Sequence, residues 1–278
     1  MRWLKGLLLV IVAATLAYVF FGHKDDVSDL VSQYVENGEF LTLEARYTPQ
    51  QIMESRKKEL LLSSKHSFQE PSLKFYPYLL MEVKYLGDGK KTKEGVTLWS
   101  LTDGEMVLNT ETWDTTHGFE DAINASATKE DFKVINAIAK AGGSMTKEQL
   151  QKELKLESES ITPWIESAKQ KQLIIQKGAE LQLHFENPKL NVSPQTKLTQ
   201  ALVTKPYQAA LKASKRYSKS QIERNAKAAF GQDFTVRNTT EVFLPVYSIE
   251  VLNPDGSLLT TYWNALNGQR IVPKYLLN

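Results

Sequence analysis

The chain opens on Met1-Arg2-Trp3-Leu4-Lys5, then runs from Gly6 to Gly22 without a charge, reading GLLLVIVAATLAYVFFG. With Trp3 and Leu4 the stretch approaches the ~20 apolar residues that span a hydrocarbon core. Polarity returns abruptly at His23-Lys24-Asp25-Asp26. A cleaved signal peptide would need small residues before its cut, and Thr15-Leu16-Ala17 offers the best site. Cleavage there would leave Tyr18-Val19-Phe20-Phe21 as a sticky new terminus, so an uncleaved transmembrane anchor over 1–24 is the expectation. Arg2 and Lys5 flank one side, while Asp25, Asp26 and Asp29 outweigh Lys24 on the other. The positive-inside rule then leaves the N-terminus in the cytoplasm of an inner-membrane protein and exports everything after about residue 24.

Beyond the anchor the pattern repeats. Arg46-Tyr47-Thr48-Pro49-Gln50-Gln51-Ile52 aligns with Arg216-Tyr217-Ser218-Lys219-Ser220-Gln221-Ile222. Pro77 to Val83 aligns with Pro245 to Val251, and Leu98 to Glu105 with Tyr262 to Gln269, at offsets of 170, 168 and 164. Thr48 and Ser218 each stand three residues before a Gln, the capping-box spacing, so a helix of roughly 12–16 residues is expected at the same place in each copy. Phe75–Tyr85 and Val242–Leu252 are rich in aromatic and branched residues, as strands are. A second strand is expected through Trp99 or Trp263. Asp103-Gly104 and Asn267-Gly268 then supply hairpin turns into a third. Each copy reads as a helix followed by an antiparallel meander, over 25–126 and 188–278.

The second copy resembles a PepSY domain through Tyr247, Ile249, Val251, Asp255-Gly256 and Asn264-Ala265-Leu266-Asn267-Gly268. It departs from that pattern at Asn264, where the family usually carries Asp, and at Ile271, which comes one place late. The resemblance implies an exported, non-catalytic module, in some cases one that restrains a protease.

Residues 127–187 have another rhythm. Thr128 caps a helix with Phe132, Ile135, Ile138 and Ala139 at helical spacing, and Gly142-Gly143 ends it. Thr146 with Gln149 opens a second helix, and Ser158 or Ser160 is the expected cap of a third carrying Ile161, Trp164, Ile165 and Ala168. Leu173-Ile174-Ile175 and Leu181 to Phe185 make a hairpin around Gly178. The segment resembles a winged-helix domain. Its third helix leads with Glu159 and Glu166, no Arg occurs from 129 to 186, and Lys and acidic residues number nine each. Duplex DNA asks for several phosphate-neutralising side chains on one face, so a protein contact is the better expectation. The fold class expected is therefore α+β: a transmembrane helix and two related α+β modules separated by a winged-helix-like domain.

Composition narrows the function. The 278 residues are 42% hydrophobic and 24% charged, which is globular stock. The absence of Cys removes disulfides, thiolate metal sites, Cys nucleophiles and a lipidated cysteine. Net charge is +2, but residues 22–128 hold eleven basic and eighteen acidic side chains and residues 188–278 twelve and five. Lys212, Lys215, Arg216 and Lys219 form the densest basic stripe, at helical spacing, and are the candidate partner-binding residues. The four His at 23, 66, 117 and 184 show no metal spacing, and the tract Trp113 to Gly118 reads as a connector. There is no phosphate-binding glycine loop or dinucleotide fingerprint.

The expectation is thus a non-enzymatic envelope protein whose exported part binds other proteins, copies of itself included, as an accessory or scaffold subunit. No cofactor, nucleic acid or small-molecule substrate is expected. A membrane-tethered winged-helix DNA-binding regulator is the first rival, and a PepSY-like modulator of an envelope protease the second.

Overall fold

A computed structural model describes residues 38–87, 91–185, 187–206 and 210–272. The expected anchor over 1–24 lies outside these residues. Among those described, no helix is long and apolar enough to cross a membrane.

The architecture is mixed α+β, with helices packed on a large curled sheet. The first repeat runs β1 (Glu39–Leu43), α1 (Pro49–Ser55), α2 (Lys57–Leu60), β2 (Ser67–Phe68), β3 (Ser72–Leu86), β4 (Thr92–Ser100), β5 (Met106–Asn109) and β6 (Asp114–Thr115), and α3 (Phe119–Asn124) closes it. The middle segment runs α4 (Lys129–Lys140), β7 (Ser144–Thr146), α5 (Lys147–Leu154), α6 (Ser158–Gln170), β8 (Ile174–Lys177) and β9 (Glu180–Leu183). Next come β10 (Leu202–Pro206) and β11 (Leu211–Lys212). The second repeat ends the described chain with α7 (Lys219–Phe230), β12 (Thr235–Leu252), β13 (Leu258–Asn264) and β14 (Arg270–Ile271).

The caps are where the residues put them. Thr48 with Gln51, Thr128 with Asp131, Thr146 with Gln149 and Ser218 with Gln221 all close reciprocal capping boxes. Two local expectations are corrected. The first-repeat helix breaks at Arg56, which leaves helical dihedrals (φ −107°, ψ 8°) and divides α1 from α2. The third middle helix is N-capped by Glu157, with no side-chain cap bond, rather than by Ser158 or Ser160.

The two repeats share one sheet. β3 and β12 pair antiparallel from Phe75↔Pro245 to Lys84↔Thr235, with a bulge near Asn238. By the repeat offset of 168, Phe75 corresponds to Phe243 and Pro77 to Pro245. Phe75↔Pro245 and Pro77↔Phe243 are therefore one pair seen twice, and a pseudo-two-fold axis passes at Tyr76↔Leu244. The axis maps other contacts as well. Thr42 of β1 meets Phe243 in parallel, and Lys212 of β11 meets Phe75 in parallel. The N–H groups of Arg46 and Tyr47 both donate to the Ala265 carbonyl, while those of Arg216 and Tyr217 both donate to that of Leu101.

These contacts cross between repeats, and so do the helices. Ile52 and Leu60 are buried against Ile249, Val251 and Trp263 of the second meander. Ile222 and Ala226 of α7 join the core of Leu79, Met81, Val83 and Trp99 of the first. Each large apolar side chain so buried contributes ~1.5–3 kcal/mol. The pattern of helix plus following meander left open how the two copies pack on each other; in the structure each helix covers the other repeat's meander.

The middle segment folds with a sheet of its own, ordered β7-β9-β8, under α4, α5 and α6. Its core is continuous with that of the first repeat: the Phe119 and Phe132 rings lie 5.9 Å apart.

Candidate functional site

Three places gather charge or polar groups beneath the surface. The first holds the basic residues singled out above. Lys212 lies in the short strand β11, Lys215 and Arg216 in the connection after it, and Lys219 opens α7, so the helical spacing of the four does not place them on one helix face. The Ser218 cap explains this, because the helix starts only behind it.

Each of the first three meets a different environment. The Lys212 ammonium lies 4.0 Å from the centroid of Phe40 and 4.5 Å from that of Phe243. Those rings and Phe75 form one edge-to-face cluster. Removal from water lowers the Lys212 pKa to about 8; the Glu241 carboxylate opposes this and the Lys215 charge adds to it. Lys215 pairs with Glu241 at 2.5 Å. Arg216 points elsewhere, to the buried Glu120 at 2.5 Å. The stripe is therefore three sites of differing chemistry, with only Lys212 and Lys215 facing the same carboxylate.

The second place is organised by Glu105, which is 5% exposed. Its carboxylate accepts from Thr116 Oγ1 at 2.6 Å, from the Gly118 N–H at 2.9 Å and from the Glu120 N–H at 3.1 Å. Burial raises its pKa, against the pull of those three donors. The connector containing His117 thus turns around one buried acid, which the other repeat replaces by Gln269. Nothing in the pattern around Asp103-Gly104 marked Glu105; a lone acid followed by Met106-Val107-Leu108 was the available signal.

The third lies on both sides of α3. A cleft of about 340 Å³ is lined by Asp121, Asn124, Lys171, Gln172, His184 and Phe185. Lys171 Nζ donates to Asp131 and to the Ser126 carbonyl, and Ser167 Oγ donates to Asp131. Burial raises the pKa of Asp131, but the Lys171, Thr128 and Ser167 donors outweigh it and hold the carboxyl below its ordinary range. A smaller cavity of about 70 Å³ lies between α3 and α7 beside Ser126, Gln221, Arg224 and Asn225. Asn225 is buried, with neither amide atom hydrogen-bonded among the described residues. No group of three or more His, Asp or Glu able to hold a metal occurs among the described residues.

Comparison with known protein families, curated proteins and solved structures finds no match.

Proposed function

We propose that this chain is a non-enzymatic, single-pass envelope protein whose exported body binds other proteins as an accessory or scaffold subunit. The observation that carries the reading is the uncharged run Gly6–Gly22 behind Arg2 and Lys5, with Asp25, Asp26 and Asp29 beyond it. The buried acids favour a structural over a chemical use. Glu105 is consumed by three donors of the connector, and Asp131 by Lys171, Ser167 and Thr128.

The order helix, strand, helix, helix, hairpin over α4 to β9 supports a winged-helix reading of the middle segment, and helix-then-meander supports a PepSY-like reading of each repeat. The charge of α6 argues for a protein partner rather than DNA. Its exposed residues include Glu159, Thr162, Glu166 and Gln170, and its Lys169 is engaged by Glu166 and Gln176.

A reporter active only outside the cytoplasm, fused after Asn278, tests the address. Activity is expected, and silence from a stably expressed fusion would overturn it. Pull-down from detergent extracts tests the scaffold role; recovery of the chain alone at its monomer mass would count against it.

A further inference from the structure

The pseudo-two-fold is broken at the outer edge of the sheet. In the first repeat a strap, residues 187–206, covers that edge around Thr196 and then pairs with β1 through β10. The Thr196 N–H donates to the Val96 carbonyl at 2.8 Å. The Leu98 N–H donates to Thr196 Oγ1 at 2.9 Å, and that hydroxyl donates to the Val107 carbonyl at 2.5 Å. Beyond it the Lys197 N–H donates to Leu108 and the Thr110 N–H to Lys197. The strap carries Lys189, Lys197 and Lys205 and no acid. It lies on a repeat that has ten basic and fourteen acidic residues over 38–128. Lys189 pairs with Asp114 and Lys197 with Glu111.

In the second repeat Val96, Leu98 and Val107 become Thr260, Tyr262 and Ile271. β14 pairs with β13 at Tyr262 and Trp263, so among the described residues nothing runs along the outer side of Leu258 to Thr260. Leu258 is 55% exposed, Leu259 43% and Val272 82%, an apolar edge of the kind natural sheets cover. Continuing the β14 register would bring residue 273 opposite Thr260. That residue is Pro273, which has no N–H to give the Thr260 carbonyl.

We propose that the occupant of this edge is the chain's own acidic segment, residues 25–36, docked there as the strap 187–206 is docked on the first repeat. The strap leads into β11 as segment 25–36 leads into β1, and the offset of 170 that relates those two strands carries Thr196 to Asp26. The signs exchange as the symmetry requires. Segment 25–36 holds Asp25, Asp26, Asp29 and Glu36 and no basic residue, whereas residues 210–272 hold eight basic and five acidic. A basic strap on the acidic repeat is answered by an acidic one on the basic repeat.

The chain has no Cys, so engineered pairs report without background. In the first repeat a Cβ at Gly95 would lie 3.4 Å from Gln195 Cγ, so side chains at the two positions are in contact. Gly95→Cys with Gln195→Cys is therefore the positive control. The equivalent pair is Leu259→Cys with Asp25→Cys, and Ile175→Cys with Asp25→Cys is the negative control on the exposed β8 edge. On the full-length chain in detergent under mild oxidation, the Leu259/Asp25 pair should close within one chain as completely as the positive control. No closure, or closure no greater than with Ile175, would overturn the proposal. A dimer-mass disulfide would overturn it too, giving the edge to a second copy. The assay reads no topology, so an inverted reporter would sink the envelope reading and leave this result standing.

Discussion

Tyr76 and Leu244 face each other on the pseudo-two-fold axis, one pair from the end of the β3/β12 ladder, each the repeat counterpart of the other. Everything on either side of this pair is exchanged, so neither repeat has a complete core of its own. Trp263, 1% exposed, forms the floor beneath α1 and α2, and Arg56 lies over its ring. Trp263→Ala should therefore cost ~3–5 kcal/mol and unfold the first repeat's helix with the second repeat's strands. Urea unfolding followed by far-UV circular dichroism and by tryptophan fluorescence should give coincident curves. Separate transitions for the two repeats would contradict the exchange.

The hairpin glycines are equivalent in conformation but not in surroundings. Gly104 has φ +73° and Gly268 φ +67°, so a side chain at either meets the left-handed penalty of ~1–2 kcal/mol. At Gly104 a Cβ would also lie 2.6 Å from Ile123 Cδ1 and 3.2 Å from the Tyr217 ring, both buried. At Gly268 its nearest contact would be the Tyr47 ring at 3.1 Å, which is 42% exposed and able to swing aside. Gly104→Ala should be the worse substitution by about 1–2 kcal/mol, measured from urea midpoints. Equal losses would refute the packing difference.

Glu105 gives stability an unusual dependence on pH. Its folded pKa is raised above 4.5 by burial, so its contribution is full below that value and is lost as pH rises through the folded pKa. Glu105→Gln, the residue of the other repeat, keeps an acceptor for Gly118 and Glu120 and reverses the Thr116 bond, its Nε2 donating to the hydroxyl that now donates to the carboxylate. It should stay within about 1 kcal/mol of the parent at neutral pH and flatten that slope. Glu105→Ala strands two buried N–H groups and should cost ~2–4 kcal/mol. Thermal melts from mildly acidic to neutral pH separate the two. A Gln variant as unstable as the Ala variant would show that the charge is indispensable.

What the residues disclosed was local. Capping boxes join positions three apart, so Thr48, Thr128, Thr146 and Ser218 could be read directly. The exchange of helices could not. Ile52 and Ile222 are equivalent, as are Trp99 and Trp263, so the apolar face of either helix fits either meander and periodicity does not choose. The choice is made by pairings about 160 residues apart in sequence, such as Tyr76↔Leu244. The helix break at Arg56 has no Gly or Pro to announce it. Lys212, Lys215, Arg216 and Lys219 mimic helical spacing across a strand and a turn.

Lys212 is the most distinctive titrating group on the surface. Burial against Phe40 and Phe243 lowers its pKa to about 8, well under the 10.5 of an ordinary lysine. Folding is penalised while the ammonium must be kept charged there, and the penalty lifts as pH rises from the folded value towards 10.5. Competitive acetylation read by mass spectrometry should give Lys212 a half-point near 8 and make it the earliest lysine of its region to react. Lys212→Met keeps the stem over the rings without the charge and should stabilise the chain below that pH. A half-point shared with Lys215 would argue against the aromatic seat.

Thr196 ties the strap to the sheet through its backbone N–H and its hydroxyl. It is 2% exposed, receives the Leu98 N–H and gives its own proton to the Val107 carbonyl, standing between two backbone groups that would otherwise pair across β4 and β5. Thr196→Val preserves the volume and removes both bonds, leaving a buried donor and a buried acceptor to be met elsewhere. The cost should be ~2–3 kcal/mol, because stranding such groups exceeds the worth of the bonds themselves. Thr196→Ser keeps the oxygen and gives up one methyl, so it should lose about 1 kcal/mol. Hydrogen exchange distinguishes the mechanism from simple loss of packing. With Val the Leu98 amide should lose protection ahead of its neighbours in β4, while with Ser it should exchange as in the parent. Protection of Leu98 unchanged by Val would mean that β4 and β5 close directly and that the strap is held without the Thr196 hydroxyl.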